Sequence, residues 1–420
     1  MSHKYDIKDI SLAPAGQQKI DWAYRNMPVL RSVEERFIKE KPFAGKKIAV
    51  SVHVEAKTAC LARVLRSGGA EVYLTGCNPL STQDDVAAAL VADGMSVFCV
   101  HGADDSLYSK HLHDALSIGP DIVIDDGGDF AALLHTSESD KAAKLLGGCE
   151  ETTTGVHRLR ILEESNKLTY PVIAVNDAQC KHLFDNRYGT GQSVWTAIMD
   201  TTNLVVSGKT VVVAGFGMCG KGVAMRAKGL GALVVVTEID PVKASEALME
   251  GYSVMPMEQA AEIGDLFVTV TGCKDVIAKK HFAKMKDGAI CCNAGHFDVE
   301  VNINELKAMS VSDYEARPNV IGYRLSDHRT VYILAEGRLV NLASGDGHPV
   351  EIMDMSFSLQ ALSAEYVLKN HASLEKKVYD TPKEIDDTVA KLFLNTKGIQ
   401  IDTLTSAQEH YINSWSLEGE

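Results

Sequence analysis

Short apolar runs alternate along this chain with stretches of helical periodicity. Residues 47–52 form a β-branched run, residues 58–66 repeat apolar positions at helical spacing, Gly68-Gly69 ends that helix, and residues 71–75 resume as a strand. Further strands are expected at 97–100, 121–124 and 172–175, with helical stretches between them. Strands alternating with helices predict a largely parallel sheet. A second unit opens at Lys209, where residues 210–214 are continuously apolar, as in strands buried on both faces. A glycine-rich turn, a helical run to about Gly229 and a strand at 233–237 follow, and later strands are expected at 266–270, 289–293 and 331–334. Residues 354–370 read as an alanine-rich helix, and the segment from about Glu384 as one helix and a charged tail. No repeat or low-complexity linker is evident, so short hinges are expected near 185–195 and 346–355. The expected fold class is α/β, with two Rossmann-like, doubly wound parallel-sheet domains plus a small C-terminal tail.

Composition narrows the partners. A net charge of −14 without a basic stripe argues against nucleic acid or an anionic membrane. The first ten residues are charged, Pro14 and Gly16 interrupt the next stretch, and no run of about 18 apolar residues exists; neither a signal peptide nor a membrane span is expected. The nine cysteines include no C-x-x-C pair. Reduced thiols in a cytoplasm, and no metal site, are the expectation.

The turn Gly215-Phe216-Gly217-Met218-Cys219-Gly220 sits between a buried strand and a helix, and the next strand ends in Glu238. That context turns a weak G-x-G-x-x-G signal into a dinucleotide fingerprint. The first glycine permits the tight turn, the second admits the pyrophosphate, and the third packs helix on strand. Glu238 would accept from the adenosine ribose hydroxyls and repel a 2′-phosphate, so NAD is expected. Thr271, beyond one later strand, and Ala294-Gly295, beyond another, are placed to line the nicotinamide half, or are simple strand-to-helix loops.

Other polar clusters read either as chemistry or as scaffold. Asp125, Asp126 and Asp129 follow an apolar strand, suggesting metal binding, proton transfer or a solvated turn. Glu150-Glu151-Thr152-Thr153-Thr154 fits a ligand loop or a helix cap. Lys181 and Asp185 would share one face of a helical turn, as an ion pair or as a lysine whose pKa burial has lowered for proton transfer. His53 and His348 are each, taken alone, more often structural.

In order along the chain, Ser81-Thr82-Gln83-Asp84, residues 125–129, 150–157 and 175–177, Phe184-Asp185-Asn186, residues 215–222 and 238–241, Gly295-His296-Phe297-Asp298, residues 335–341 and Gly347-His348-Pro349 resemble the S-adenosyl-L-homocysteine hydrolase family. The resemblance implies a substrate-binding domain of residues 1–188 and 349–384, an NAD-binding domain of 189–348, a tail of 385–420, and a homotetramer. It also implies a reaction: oxidation of the ribose 3′-hydroxyl, loss of the C4′ proton, elimination of homocysteine, addition of water and re-reduction, with tightly bound NAD regenerated. Carried over, Lys181 with Asp185 would take the 3′-hydroxyl proton, and Glu151 would hold the ribose. Asp126, His53 and His296 would move protons at C4′ and C5′, and His348 would border the purine. Thr152, Thr153, Thr154, Asn186, Glu238, Lys243 and Asn341 would contact NAD together with Gly217, Met218, Cys219, Gly220, Lys221 and Gly222. His296-Phe297 matches the pair that gates access.

The chain departs from the family at five places. Glu55 stands where many members have threonine, and Lys57 where they have glutamate or glutamine facing the adenine 6-amino group. An ammonium only donates. Opposite an amine it would lose about 1–3 kcal/mol, whereas opposite a hypoxanthine O6 it would be a charge-assisted donor. S-inosyl-L-homocysteine is therefore the expected substrate, slightly ahead of S-adenosyl-L-homocysteine, which stays acceptable if Lys57 pairs with Glu55 or turns to solvent; an NAD-binding regulatory pseudo-enzyme is the reading from another class. Thr190 replaces a common cysteine, Lys243 replaces an asparagine and slightly eases discrimination against NADP, and the tail after Trp415 lacks the Lys- and Tyr-rich end of longer relatives.

Overall fold

The computed structural model describes residues 4–415. It contains two eight-stranded sheets. The first is wholly parallel, in the spatial order Tyr5–Ile7, Ser96–Cys99, Glu71–Thr75, Lys47–Ser51, Ile122–Asp125, Gly147–Glu150, Val172–Ala174, Val378–Asp380. The second runs Ser253–Val254, Leu233–Thr237, Thr210–Ala214, Leu266–Thr269, Ile290–Asn293, Thr330–Leu334, Val320–Leu325, Ser310–Arg317, and only its last two strands are antiparallel additions. Each parallel sheet reverses its winding beside one central strand. The first does so between Lys47–Ser51 and Ile122–Asp125, the second between Thr210–Ala214 and Leu266–Thr269. Such switch points open a crevice at the carboxyl ends of the strands.

The strands form where sequence demands burial: Val211, Val212 and Val213 are fully buried, as are Ile48, Ala49 and Val50. The expected strands at 71–75, 210–214 and 233–237 match their observed limits. Helix Val350–Asn370 is buried on nearly every side and returns the C-terminal half to the first core.

Near 185–195, where a short hinge is expected, a π-helix, Lys181–Gly189, runs directly into helix Thr190–Thr202. Expectations change at the end of the chain. The segment after Glu384 holds two helices. The first, Lys383–Thr396, belongs to the first core, because Val389 is fully buried there and Ile385, Leu392 and Phe393 pack against it. The second is Ser406–Asn413. Among the described residues, no helix is long and apolar enough to cross a membrane.

Candidate active site

At the first switch point, two adjacent strands deliver His53 and Asp126 side by side. His53 follows Lys47–Ser51; its Nδ1 lies 2.6 Å from Ser81 Oγ and its Nε2 3.5 Å from Asp126 Oδ2. Cys77 donates its thiol to the same Asp126 oxygen at 3.6 Å. His296 arrives from the second unit, its Nδ1 3.8 Å from Asp126 Oδ1, an oxygen that is buried without a hydrogen-bond partner. A Cβ on Gly127 would stand 2.2 Å from His296 Nε2, so the glycine, at φ +107°, makes room for that ring. Burial holds both imidazoles at about 4, so both are neutral at physiological pH. Burial also raises Asp126, and the histidine and lysine nearby only partly oppose it. The donor atoms of His53, Cys77 and Asp126 lie within 4.8 Å of one another, a set that could also take a metal ion.

Of the three clustered aspartates, only Asp126 reaches this site. Asp125 accepts from the Ala131 and Asp126 amides, and Asp129 accepts from the Tyr108 hydroxyl at 2.7 Å. Glu150 likewise serves the backbone, receiving the Gly127 and Thr152 amides. These acids brace the turns that carry Asp126 and Glu151.

The π-helix explains the next cluster. Because its hydrogen bonds run i to i+5, Lys181 faces both of the residues that follow four and five positions on. Its Nζ donates to Asn186 Oδ1 at 2.8 Å and lies 3.4 Å from Asp185 Oδ2 and 3.5 Å from Glu151 Oε1. Asn186 in turn donates to Asn176 Oδ1 at 3.1 Å. Helix Val350–Asn370 adds Ser356, which donates to Asp185, and Gln360, which donates to Glu151 at 2.5 Å. His348 Nδ1 meets Asp185, and its Nε2 is 3.3 Å from Thr190 Oγ1, so its ring is turned to the lysine cluster.

The electrostatics correct the expectation of a lysine lowered by burial. Burial does pull Lys181 down, but Asp185, Glu151 and Asp126 outweigh it and hold the ammonium above its ordinary range. Burial works to raise Asp185, yet Lys181 and His348 hold it well below the usual carboxylate range. Burial raises Glu151, with Lys181 opposing.

Glu55 caps helix Ala56–Ser67 by accepting the Lys57 and Thr58 amides. The Lys57 side chain is buried, 2.8 Å from Glu55 Oε2, and donates to the Asp346 carbonyl at 2.7 Å. It therefore pairs with Glu55, the arrangement under which adenine stays acceptable, and does not turn to solvent.

At the second switch point the turn is built of backbone. Gly215 has φ +103°, and a Cβ on Gly220 would stand 2.0 Å from the Gly215 carbonyl oxygen. Helix Met218–Gly229 begins there, pointing its N-terminus at open space: nothing lies within 4 Å of a Cβ placed on Gly217. Gly222 packs that helix against the π-helix, its Cβ position 1.8 Å from Arg187 O. Glu238, at the end of the neighbouring strand, accepts the Phe216 amide at 2.7 Å. Cys219 Sγ lies 3.6 Å from Thr190 Oγ1, so a thiol still borders the position of the replaced family cysteine. Lys221 pairs with Glu246, and Lys243 lies 3.8 Å from Asp240, half-exposed beyond Glu238.

The remaining predicted contacts are divided. Asn341 is buried, with Nδ2 donating to Ser193 and Oδ1 unpartnered, as expected of a group awaiting a ligand donor. Thr271 and Gly295 pack on the buried Glu300, which accepts the Thr271 amide and hydroxyl, and the Ala294 amide pairs with Thr269. Thr152 caps helix Thr153–Glu164, Thr153 donates to Asn176, and Thr154 faces Gly272 of the second unit. The glycine cradle, Glu238 and the orphaned Asn341 oxygen fit NAD. Sequence reasoning did not single out Cys77, Ser81, Asn176, Ser356 and Gln360; Ser81 and Asn176 lie in segments that carry the resemblance, and the other three are single polar residues in apolar or unremarkable segments.

The chain matches the sequence models described as S-adenosyl-L-homocysteine hydrolase over residues 4–146, and as the NAD binding domain of that hydrolase over residues 186–347. It is 57% identical to an adenosylhomocysteinase of Aquifex aeolicus (strain VF5), over 99% of each chain. It is 56% identical to an S-inosyl-L-homocysteine hydrolase of Methanocaldococcus jannaschii, over 98% of this chain and 99% of that one. An adenosylhomocysteinase of Thermococcus kodakarensis is 53% identical over 98% of each. With its NAD cradle facing a buried lysine, carboxylate and imidazole site, the chain belongs to the S-adenosyl-L-homocysteine hydrolase family, NAD-dependent hydrolases of a nucleosyl thioether.

Proposed function

We propose that the chain hydrolyses S-inosyl-L-homocysteine reversibly to inosine and L-homocysteine. The observation that carries the choice of base is Lys57. Its ammonium is buried, and two of its three donors are taken by Glu55 and Asp346. A third donor would suit an acceptor on the ligand, which hypoxanthine O6 supplies and the adenine amine does not. The names of the relatives support both bases and do not decide between them.

NAD, when bound, supplies a reversible oxidation of the ribose 3′ carbon. Around it the protein handles protons. Glu151 holds the ribose hydroxyls, and Lys181, as the neutral amine with Asp185 as its steady partner, takes the 3′-hydroxyl proton. His53 and His296, neutral by burial, and Asp126 between them exchange protons at C4′ and at the departing sulfur or entering water. Ser81 fixes the His53 ring through Nδ1, leaving Nε2 for this exchange. Thr152, Thr153, Thr154, Asn186, Glu238, Lys243 and Asn341 are assigned to NAD, and His348 to orienting Asp185.

The test is kcat/KM for the inosyl and adenosyl conjugates with the NAD-loaded enzyme. The inosyl conjugate should win; a clear adenosyl preference would overturn the choice of base and leave the hydrolase reading in place. Domains of 1–188 with 349–396 and of 189–348, a cytoplasmic location and a homotetramer complete the proposal. Light scattering on the purified protein checks the tetramer.

A further inference from the structure

The glycine pair Gly127-Gly128 and the side chain of Arg158 have no part in the chemistry above, yet they meet at the seam where His296 and Phe297 of the second unit enter the first. Arg158 projects from helix Thr153–Glu164 and donates from Nη1 to the Gly127 carbonyl at 3.0 Å, with Asp129 Oδ1 3.7 Å away. Its guanidinium carbon lies 4.4 Å from the centre of the Phe297 ring. Phe297 stands edge-on to His296, ring centres 4.6 Å apart at 88°. His296 rests on Gly127, and a Cβ on Gly128 would touch the Arg158 stem at 3.5 Å. From its own unit the loop is held by Asn293, which donates to the Gly295 and Phe297 carbonyls.

We propose that Arg158 is a positioning residue: it latches Phe297 to the first unit and so keeps His296 seated on Gly127 beside Asp126. The gate pair would then be held from both sides, by Asn293 within its unit and by Arg158 across the seam. The two glycines are the seat, one for the imidazole and one for the arginine stem. Arginine suits the role because a planar guanidinium can stack on a ring while donating in its plane to a carbonyl. The proposal rests on the hydrolase reading only in taking this seam as the substrate's path.

Hydrogen–deuterium exchange on the NAD-loaded enzyme without substrate tests it. In Arg158→Gln the peptide covering residues 294–299 should exchange roughly three- to tenfold faster, in line with the loss of a partly exposed cation–π contact. Residues 153–164 and 215–222 should be unchanged. Arg158→Lys, which keeps the charge but stacks poorly, should fall between. Phe297→Leu should raise exchange by a similar factor, and adding Arg158→Gln to it should do little more. Unchanged exchange at 294–299 in Arg158→Gln, or full additivity of the two variants, would overturn the latch. Because no substrate is present, a wrong substrate assignment could not produce either result.

Discussion

The two switch points share one topology and are furnished in opposite ways. At the first, the strand ends carry His53, Asp126 and Glu151, all buried and all shifted by burial from their ordinary pKa values. At the second they carry glycine, backbone amides and one acid, Glu238, already engaged by backbone donors. One edge stores proton affinity; the other stores shape. The difference follows from what each must do. A cofactor that leaves the cycle unchanged needs a fixed cradle, whereas proton transfer at two carbons and an oxygen needs groups whose charge can change.

That contrast can be broken from either side. Asp126→Asn should lower kcat by about 10²–10⁴-fold while leaving NAD content near stoichiometric, because the change lies wholly at the first edge. Quantifying released homocysteine and extracted NAD in one preparation checks both halves; loss of NAD along with activity would blur the division. Gly220→Ala should do the reverse. Its methyl would press on the Gly215 carbonyl, weakening NAD binding roughly 10- to 100-fold, and excess NAD should restore much of the activity. Lys57→Gln exchanges an ammonium for an amide that can accept, and should move the inosyl-to-adenosyl ratio of kcat/KM at least about tenfold toward adenosyl. An unchanged ratio would show that the lysine does not read the base.

The smallest effect is on stability against pH. His53 sits at about 4 in the fold, below its unfolded value near 6.5, so the unfolded chain binds the extra proton first. Its contribution is therefore whole above about pH 6.5 and is lost as pH falls toward 4. His53→Gln removes that loss. The stability of the variant relative to the parent should rise by about 1 kcal/mol or more between pH 6.5 and 4 in denaturant titrations. A flat difference would mean the imidazole is not held neutral.

The same contrast governs what the sequence made legible. The second edge announces itself, since three glycines after the valine run 211–213 have few other uses, and Glu238 closes the pattern. Strands of β-branched residues were equally plain. Gly147–Glu150, by contrast, has the composition Gly-Gly-Cys-Glu, and its place in the sheet is set by neighbours packed on both sides. The exposed hairpin strand Ser310–Arg317 lacks an apolar face to detect. At the first edge the residue types were visible but not their state. Lys181 read either as an ion pair or as a lysine lowered by burial, and the sum of Asp185, Glu151 and Asp126 decides for the ion pair. Such a sum brings together two strand ends and a π-helix, and the Glu151 in it is itself held by Gln360, 209 positions away, which no local pattern encodes.

The division of labour is tested most directly by counting turnovers against cofactor. The NAD-loaded enzyme, freed of excess NAD, is given S-inosyl-L-homocysteine while homocysteine release and the near-ultraviolet absorbance of NADH are followed together. Many homocysteines per bound NAD, with the absorbance settling to a constant level, is the predicted result. NADH growing in step with product, or release that stops after one equivalent until NAD is added, would contradict it.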